Sequence, residues 1–160
     1  MDHLTELCRE GRVAGVGMGT PLDRVRALLG EPYDQSAARE PRVLVYGALE
    51  LSFIDGALEM TALGFGRPLE DLPPALAPGM PRMWGDLPRA GVLAALRDRG
   101  VALTPHPHPS GDVHDYHVAT PRGDIVNVTF AGDRLSGVVC ARGDRTAPRI
   151  MVLPAPLRRG

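Results

Sequence analysis

The chain has 160 residues, of which 44% are hydrophobic, and its formal net charge at neutral pH is −1. This length suits one compact domain or two small fused halves, and the apolar content argues against disorder. A charge this close to zero provides no general attraction to nucleic acid or to an anionic membrane. All 18 basic residues are arginine, a bias that is typical of a GC-rich genome.

The N-terminal segment has neither a basic start nor an apolar run, and no segment is apolar over enough residues to span a bilayer. We therefore expect a cytoplasmic protein without membrane contacts. Cys8 and Cys140 lie far apart in the chain and form no zinc pattern. Both are predicted to pack in the core as small apolar side chains, Cys8 on a short helix over residues 4–9.

A second helix is predicted to begin at Thr20 and Pro21. Thr20 is a suitable cap, Pro21 suits the first helical position, and Asp23 favours the positive end of the helix dipole. Gly30 followed by Pro32 is predicted to end this helix. Its apolar residues recur at helical spacing and are Leu22, Val25, Leu28 and Leu29.

A third helix has the same arrangement later in the chain. Asp86 and Pro88 are its start signals, and Gly100 is its stop signal. Its apolar stripe comprises Leu87, Val92, Leu93 and Leu96. Residues 25–29 align with residues 92–96 at an offset of 67 positions.

Alternation of apolar and polar residues with period two follows each of these two helices. After a shift of 77 positions, the apolar residues of the first segment coincide with those of the second. The matched pairs are Leu49 and Val126, Leu51 and Val128, Phe53 and Phe130, and Leu58 and Leu135. Each segment is interrupted by a short turn, which is typical of a half-buried β-hairpin.

The two helix and hairpin patterns predict an α+β fold with two tandem repeats of a helix followed by an antiparallel β-sheet, forming one compact unit. The first repeat spans residues 1–66 and includes a strand over residues 43–46. A proline-rich connection spans residues 67–87, and the second repeat, with a C-terminal strand and tail, spans residues 88–160. Chance convergence of two common patterns is the alternative explanation.

The proline-rich connection contains Met80, Met83 and Trp84, the only tryptophan of the chain. A loop of this length within a compact unit is either a covering linker or a functional surface. In the first case Trp84 packs under the third helix. In the second case the three side chains form an adaptable apolar patch for a protein partner.

Four histidines, His106, His108, His114 and His117, lie within twelve residues. Imidazole is a common metal ligand, but proline follows both His106 and His108 and favours an extended backbone that splays the rings apart. The spacing matches no standard zinc motif. We interpret this segment as a solvated loop before a strand over residues 116–119, and we expect no metal and no cofactor.

No catalytic template is complete in the sequence. The glycine-rich segment 15–19 lacks the lysine of a phosphate-binding loop, since the chain contains no lysine. No serine lies in a nucleophile elbow. We therefore predict that the protein is not an enzyme and has no catalytic residues.

Residues 19–32, together with residues 46–53 and 56–58, resemble small actinobacterial proteins of the immunity type. The order of helix and sheet is also similar to the repeats of β-lactamase inhibitory protein and of the outer-membrane assembly lipoproteins. The resemblance implies a protein that binds and neutralises another protein, most concretely an immunity protein directed at a toxin domain.

Two alternatives remain open: a small-ligand-binding or regulatory module in which the sheet face forms a pocket, and a metalloprotein built on the histidine segment. A neutralising protein needs an exposed surface with aromatic, methionine or charged anchors, and loops supply such residues most readily. The predicted partner-binding residues are Trp84, Met80, Met83, Tyr33, Asp34, Asp112, Asp115 and Tyr116.

Overall fold

The computed structural model describes residues 3–38, 40–64, 72–76 and 86–143, and the structural statements below concern this part of the chain. It contains three helices, α1 (His3–Glu10), α2 (Leu22–Leu29) and α3 (Arg89–Asp98). None of these helices is long and apolar enough to cross a membrane. The predicted C-terminal strand over residues 149–153 lies outside the described residues.

The strands form one small and one large antiparallel sheet. The small sheet pairs β1 (Arg12–Val13) with β2 (Val16–Gly17). The large sheet has eight strands in the order β3-β4-β5-β6-β10-β9-β8-β7. Its strands are β3 (Asp34–Gln35), β4 (Arg42–Tyr46), β5 (Leu49–Ile54), β6 (Ala57–Gly64), β7 (Thr104–His106), β8 (Val113–Ala119), β9 (Ile125–Ala131) and β10 (Arg134–Ala141). The predicted α+β class is therefore confirmed.

The hydrophobic core lies between the three helices and one face of the large sheet. The strand residues predicted to be buried, Leu49, Leu51, Phe53, Val126, Val128 and Phe130, are each at most 1% exposed. They belong to one apolar cluster with Leu4, Leu7 and Cys8 of α1, Val25 and Leu29 of α2, and Val92, Leu93 and Leu96 of α3. Period-two alternation thus places these strand residues on the helix-facing side.

Helices α2 and α3 begin differently from the sequence prediction. Thr20 does not cap α2, because its hydroxyl donates a 2.7 Å hydrogen bond to the carbonyl of Gly17. The first helical amide is satisfied by a hairpin turn instead: Leu22 N donates to the carbonyl of Gly56 at 3.0 Å. In the same way the amide of Arg89 donates to a turn carbonyl, that of Asp133, at 2.9 Å. Each helix start is therefore held against the sheet by the turn of the following hairpin.

Two other features recur in both halves of the chain. Pro21 forms a bridge with Ala57, the first residue of β6, and Pro88 forms a bridge with Arg134, the first residue of β10. Each hairpin also has a β-bulge in its second strand. The extra residue is Glu59 in β6 and Ser136 in β10, two positions that are 77 residues apart. The two halves meet where β6 pairs with β10.

The histidine segment differs from the predicted solvated loop. Its first residues form β7, and β8 begins at Val113 rather than at Tyr116, so that a hairpin occupies the segment. Pro105 is tolerated because β7 is an edge strand of the sheet. The remaining loop covers residues 107–112. His106, His114 and His117 therefore lie on strands, and only His108 lies in the loop.

Candidate functional site

The side of the large sheet that faces away from the helices is the outer face, and we define it by three rows of cross-strand neighbours. The middle row crosses all eight strands as Asp34, Val45, Glu50, Ala62, Val139, Asn127, His117 and Thr104. One flanking row comprises Val43, Ser52, Met60, Ala141, Ile125 and Ala119. The other comprises Gly64, Gly137, Thr129, Asp115 and His106. Paired residues of adjacent strands point to the same side.

The first half of the outer face is mainly apolar. Val43 and Val45 of β4 are half-buried, as is Met60 of β6, while Ala62 is 3% exposed. Ala62 is buried without belonging to the core cluster on the helix-facing side. This half therefore presents small and branched apolar side chains around the half-buried carboxylate of Glu50.

The second half of the outer face carries a polar cluster, which we call the His–Asp cluster: His106, Asp115, His117, Asn127 and Thr129. Asp115 is 3% exposed, and its Oδ1 accepts a 2.7 Å hydrogen bond from the Thr129 hydroxyl. The rings of His106 and His117 stack with centroids 4.0 Å apart and an interplanar angle of 17°. The Oδ1 of Asn127 is buried and has no hydrogen-bond partner within the described part of the chain.

The environment of His117 disfavours its charged form. Burial lowers the pKa of the His117 imidazole, the neighbouring His106 lowers it further, and Asp115 opposes both effects. A neutral imidazole has one nitrogen that can accept a hydrogen bond, whereas the protonated ring is a donor only. At neutral pH the His117 ring therefore presents an acceptor nitrogen beside the Asp115 carboxylate.

The predicted partner-binding residues are separated by the sheet. Asp34 lies at one end of the middle row, and Asp115 lies near the other edge, six strand positions away and roughly 29 Å along the sheet. Tyr33, beside Asp34, is 62% exposed, and Asp112 lies exposed in the turn before β8. Asp34 and Asp115 both lie on the outer face, whereas Tyr33 and Asp112 lie at opposite margins of the sheet.

Tyr116 is partly buried and packs against the core. Its ring packs edge-on against Phe130, with centroids 5.8 Å apart and an interplanar angle of 89°. Asp115 is also held inside the sheet through Thr129, so neither is a freely exposed loop group. Met80, Met83 and Trp84 lie outside the described residues.

Sequence reasoning missed Asn127, Thr129 and the two stacked histidines as members of one site. The available signal was alternation: His117 and Asp115 are two residues apart and fall on the same side of a strand. That signal can be used only if β8 is known to start at Val113. The prolines that precede Val113 favoured a loop, so Asp115 was not assigned to a strand. Within the described residues, no group of three or more histidine, cysteine, aspartate or glutamate residues is arranged to hold a metal ion.

A cavity of about 370 Å³ lies at the end of the sheet near β2 and is lined by Met18, Arg122, Gly123, Asp124, Arg142 and Gly143. Arg142 Nη1 lies 3.5 Å from Oε1 of Glu59. Cys140 is buried nearby, and burial together with Asp124 raises the pKa of its thiol to about 12. The Cys140 thiol therefore stays protonated at neutral pH and is unsuited to nucleophilic attack.

No family model matches the chain, and neither a curated protein nor a solved structure matches it.

Proposed function

We propose that the protein is a non-enzymatic binding protein, most concretely a cytoplasmic immunity protein that binds and neutralises a toxin domain. The observation that supports this proposal is the outer face, which spans eight strands on the side of the sheet opposite the helices. It combines branched apolar side chains with acidic groups and imidazoles. A contact surface with an apolar centre and polar groups that fix orientation has this composition.

The exposed positions of the outer face support the same proposal. Ile125 is 38% exposed and, with Tyr33, is one of the two large exposed hydrophobic residues of the described chain. Asp34, Thr104 and His106 are also exposed. A protein partner that covers these positions would remove apolar area from water and pair the polar groups at the margins.

We further propose that the two halves are tandem repeats. Support comes from the matched helix starts at Leu22 and Arg89, the matched bulges at Glu59 and Ser136, and the mirrored strand order on either side of the β6–β10 pair. A duplicated unit builds a sheet twice as wide as one unit could. One half can then preserve the fold while the other changes its outer residues.

The test is capture of a partner from native cells, followed by copurification of the two recombinant proteins in a fixed ratio. Ile125→Glu places a charge on the outer face at a partly exposed position, so the fold should persist while partner affinity falls by at least about tenfold. Ala94→Glu on the exposed side of α3 is the matched control and should bind normally. Trp84→Ala provides the corresponding test of the proline-rich connection.

If neither substitution changes the affinity of a copurified partner, the outer face is not the binding surface. If no stoichiometric partner is captured and a toxin domain encoded beside the gene remains active in its presence, the immunity function itself is wrong.

A second candidate function is a small-ligand module, and the cavity near β2 favours it. Arg122 and Arg142 line this cavity together with Gly123 and Gly143, and its volume lies within the range of small-molecule sites. Guanidinium groups would select a carboxylate or phosphate. Titration with inorganic phosphate and with acetate should raise the melting temperature of the wild type but not of Arg122→Gln if this candidate is right.

A further inference from the structure

We propose that the His–Asp cluster is an anchor site for an arginine side chain of the protein partner. This inference depends on the proposed protein-binding function and specifies the chemistry of its partner. Three observations support it: the charge of the outer face, the exposed ring of the histidine stack, and the acceptors around it.

The charged groups of the outer face are mostly acidic. Its three rows contain the carboxylates of Asp34, Glu50 and Asp115, and the next row, Val113, Ala131 and Arg134, adds one arginine. Asp115 is the carboxylate that belongs to the His–Asp cluster, and charge complementarity at that place favours a basic group of the partner over a nucleic acid.

The histidine stack supplies a surface for a planar cation. His106 is exposed on the edge strand and covers the half-buried ring of His117. A guanidinium group is planar, stacks on ring faces and only donates hydrogen bonds. The His117 imidazole, whose pKa is lowered by burial, offers an acceptor nitrogen at the same place, and the Asp115 carboxylate, which lies in the same row as His106, contributes negative potential.

Protonation of His117 should weaken this complementarity. The groups that face the stack are Asp115 on β8, Asn127 and Thr129 on β9, and Thr104 on β7; of these only Asp115 carries a charge. When His117 is protonated, its positive charge offsets the carboxylate of Asp115, and its acceptor nitrogen is lost. Arginine binding should therefore weaken in mildly acidic solution.

The probe is N-acetyl-arginine amide, and the control ligand is N-acetyl-citrulline amide, which has the same shape with an uncharged ureido group. We expect saturable NMR shifts of the His106 and His117 ring signals with the arginine probe at pH 7.5. The same titration at pH 5 should give about tenfold weaker binding. Absent shifts, or equal shifts with both ligands, would overturn the proposal.

Two variants localise the effect. His117→Val installs the residue type of the matched first-half position, Val45, and His106→Ala removes the exposed ring from an edge strand. Both should lose the arginine-dependent shift of the remaining ring, while His3→Ala on α1 should retain both shifts. If His117→Val or His106→Ala binds the probe as well as the wild type does, the proposal is also overturned.

The two proposals fail in different ways. A partner that copurifies equally with the wild type and with His117→Val would refute the anchor site and leave the protein-binding function intact. A chain that binds the arginine probe but neutralises no toxin and captures no partner would refute the protein-binding function instead.

Discussion

The two halves of the outer face have the same strand geometry and different chemistry. In the first half Val43 pairs with Ser52, and Val45 pairs with Glu50. At the corresponding positions of the second half, Asp115 pairs with Thr129, and His117 pairs with Asn127. In the second half, Asp115 and His117 thus occupy the positions that Val43 and Val45 occupy in the first half. Packing does not require this change, because the first half forms the same hairpin without it.

The helix-facing side shows the opposite behaviour, since its buried residues are mainly apolar in both halves. Phe53 and Phe130 are matched and almost completely buried, at 1% and 0% exposure. Selection for a core therefore explains one side of the sheet in both halves. The two halves differ on the outer face, which is therefore the side expected to bind a partner.

The largest expected effect is the loss of stability when a core phenylalanine is removed, which tests whether the two halves contribute equally to the core. Phe53→Ala and Phe130→Ala should each reduce the free energy of unfolding by about 3–5 kcal/mol, because each leaves a cavity in a close-packed core. Urea unfolding of the two variants measures this. A cost below about 1 kcal/mol for either variant would refute its core position.

The next effect tests the polar pair that only the second half has. Thr129→Val leaves the buried carboxylate of Asp115 without its hydroxyl donor and should cost about 1.5–3 kcal/mol. The double variant Asp115→Val/Thr129→Val replaces both polar partners by strand-forming apolar residues and should recover most of that loss. Ser52→Val in the first half is the matched control. A double variant as unstable as Thr129→Val would show that the pair is not the source of the cost.

A smaller effect is the pH dependence that His117 confers. The pKa of His117 is lowered in the folded protein, so the folded state binds fewer protons than the unfolded state as the pH falls below the ordinary histidine value of about 6.5. The resulting stability is present above that pH and is lost as the pH falls through the folded pKa. Thermal unfolding between pH 7.5 and 5 should show a steeper loss for the wild type than for His117→Val. Parallel curves would contradict this prediction.

The smallest expected effect concerns metal. The stacked rings of His106 and His117 lie nearly parallel, an arrangement in which their nitrogens do not converge on one ion. We expect a chelator to leave the melting temperature unchanged, and metal analysis of the untagged protein to show no stoichiometric zinc, nickel or copper. One equivalent of tightly held metal, lost in His114→Ala/His117→Ala, would support the metalloprotein alternative.

Much of the fold could be predicted because local patterns agree with it. Alternation predicted the helix-facing residues of β5 and β9, and apolar spacing predicted the three helices of the described residues. The prediction failed where tertiary contacts replaced local signals. Thr20 has the chemistry of a cap, but the carbonyl of Gly56 satisfies the first amide of α2 instead. The prolines around His106 indicated a loop, whereas this segment forms β7 at the edge of the sheet, where a proline removes no ladder hydrogen bond.

The sequence by itself determined the fold class, the core faces of the central strands and the near-zero charge, because each depends on composition or on the spacing of neighbouring residues. Only the tertiary structure decided which polar residues form a site. His106 and Thr129 are 23 positions apart, and they share one row only because β7, β8 and β9 pair in a specific register. Register depends on the turns, on the bulges and on which face is buried, and the local pattern around His106 predicted a loop instead of the strand that brings these residues together.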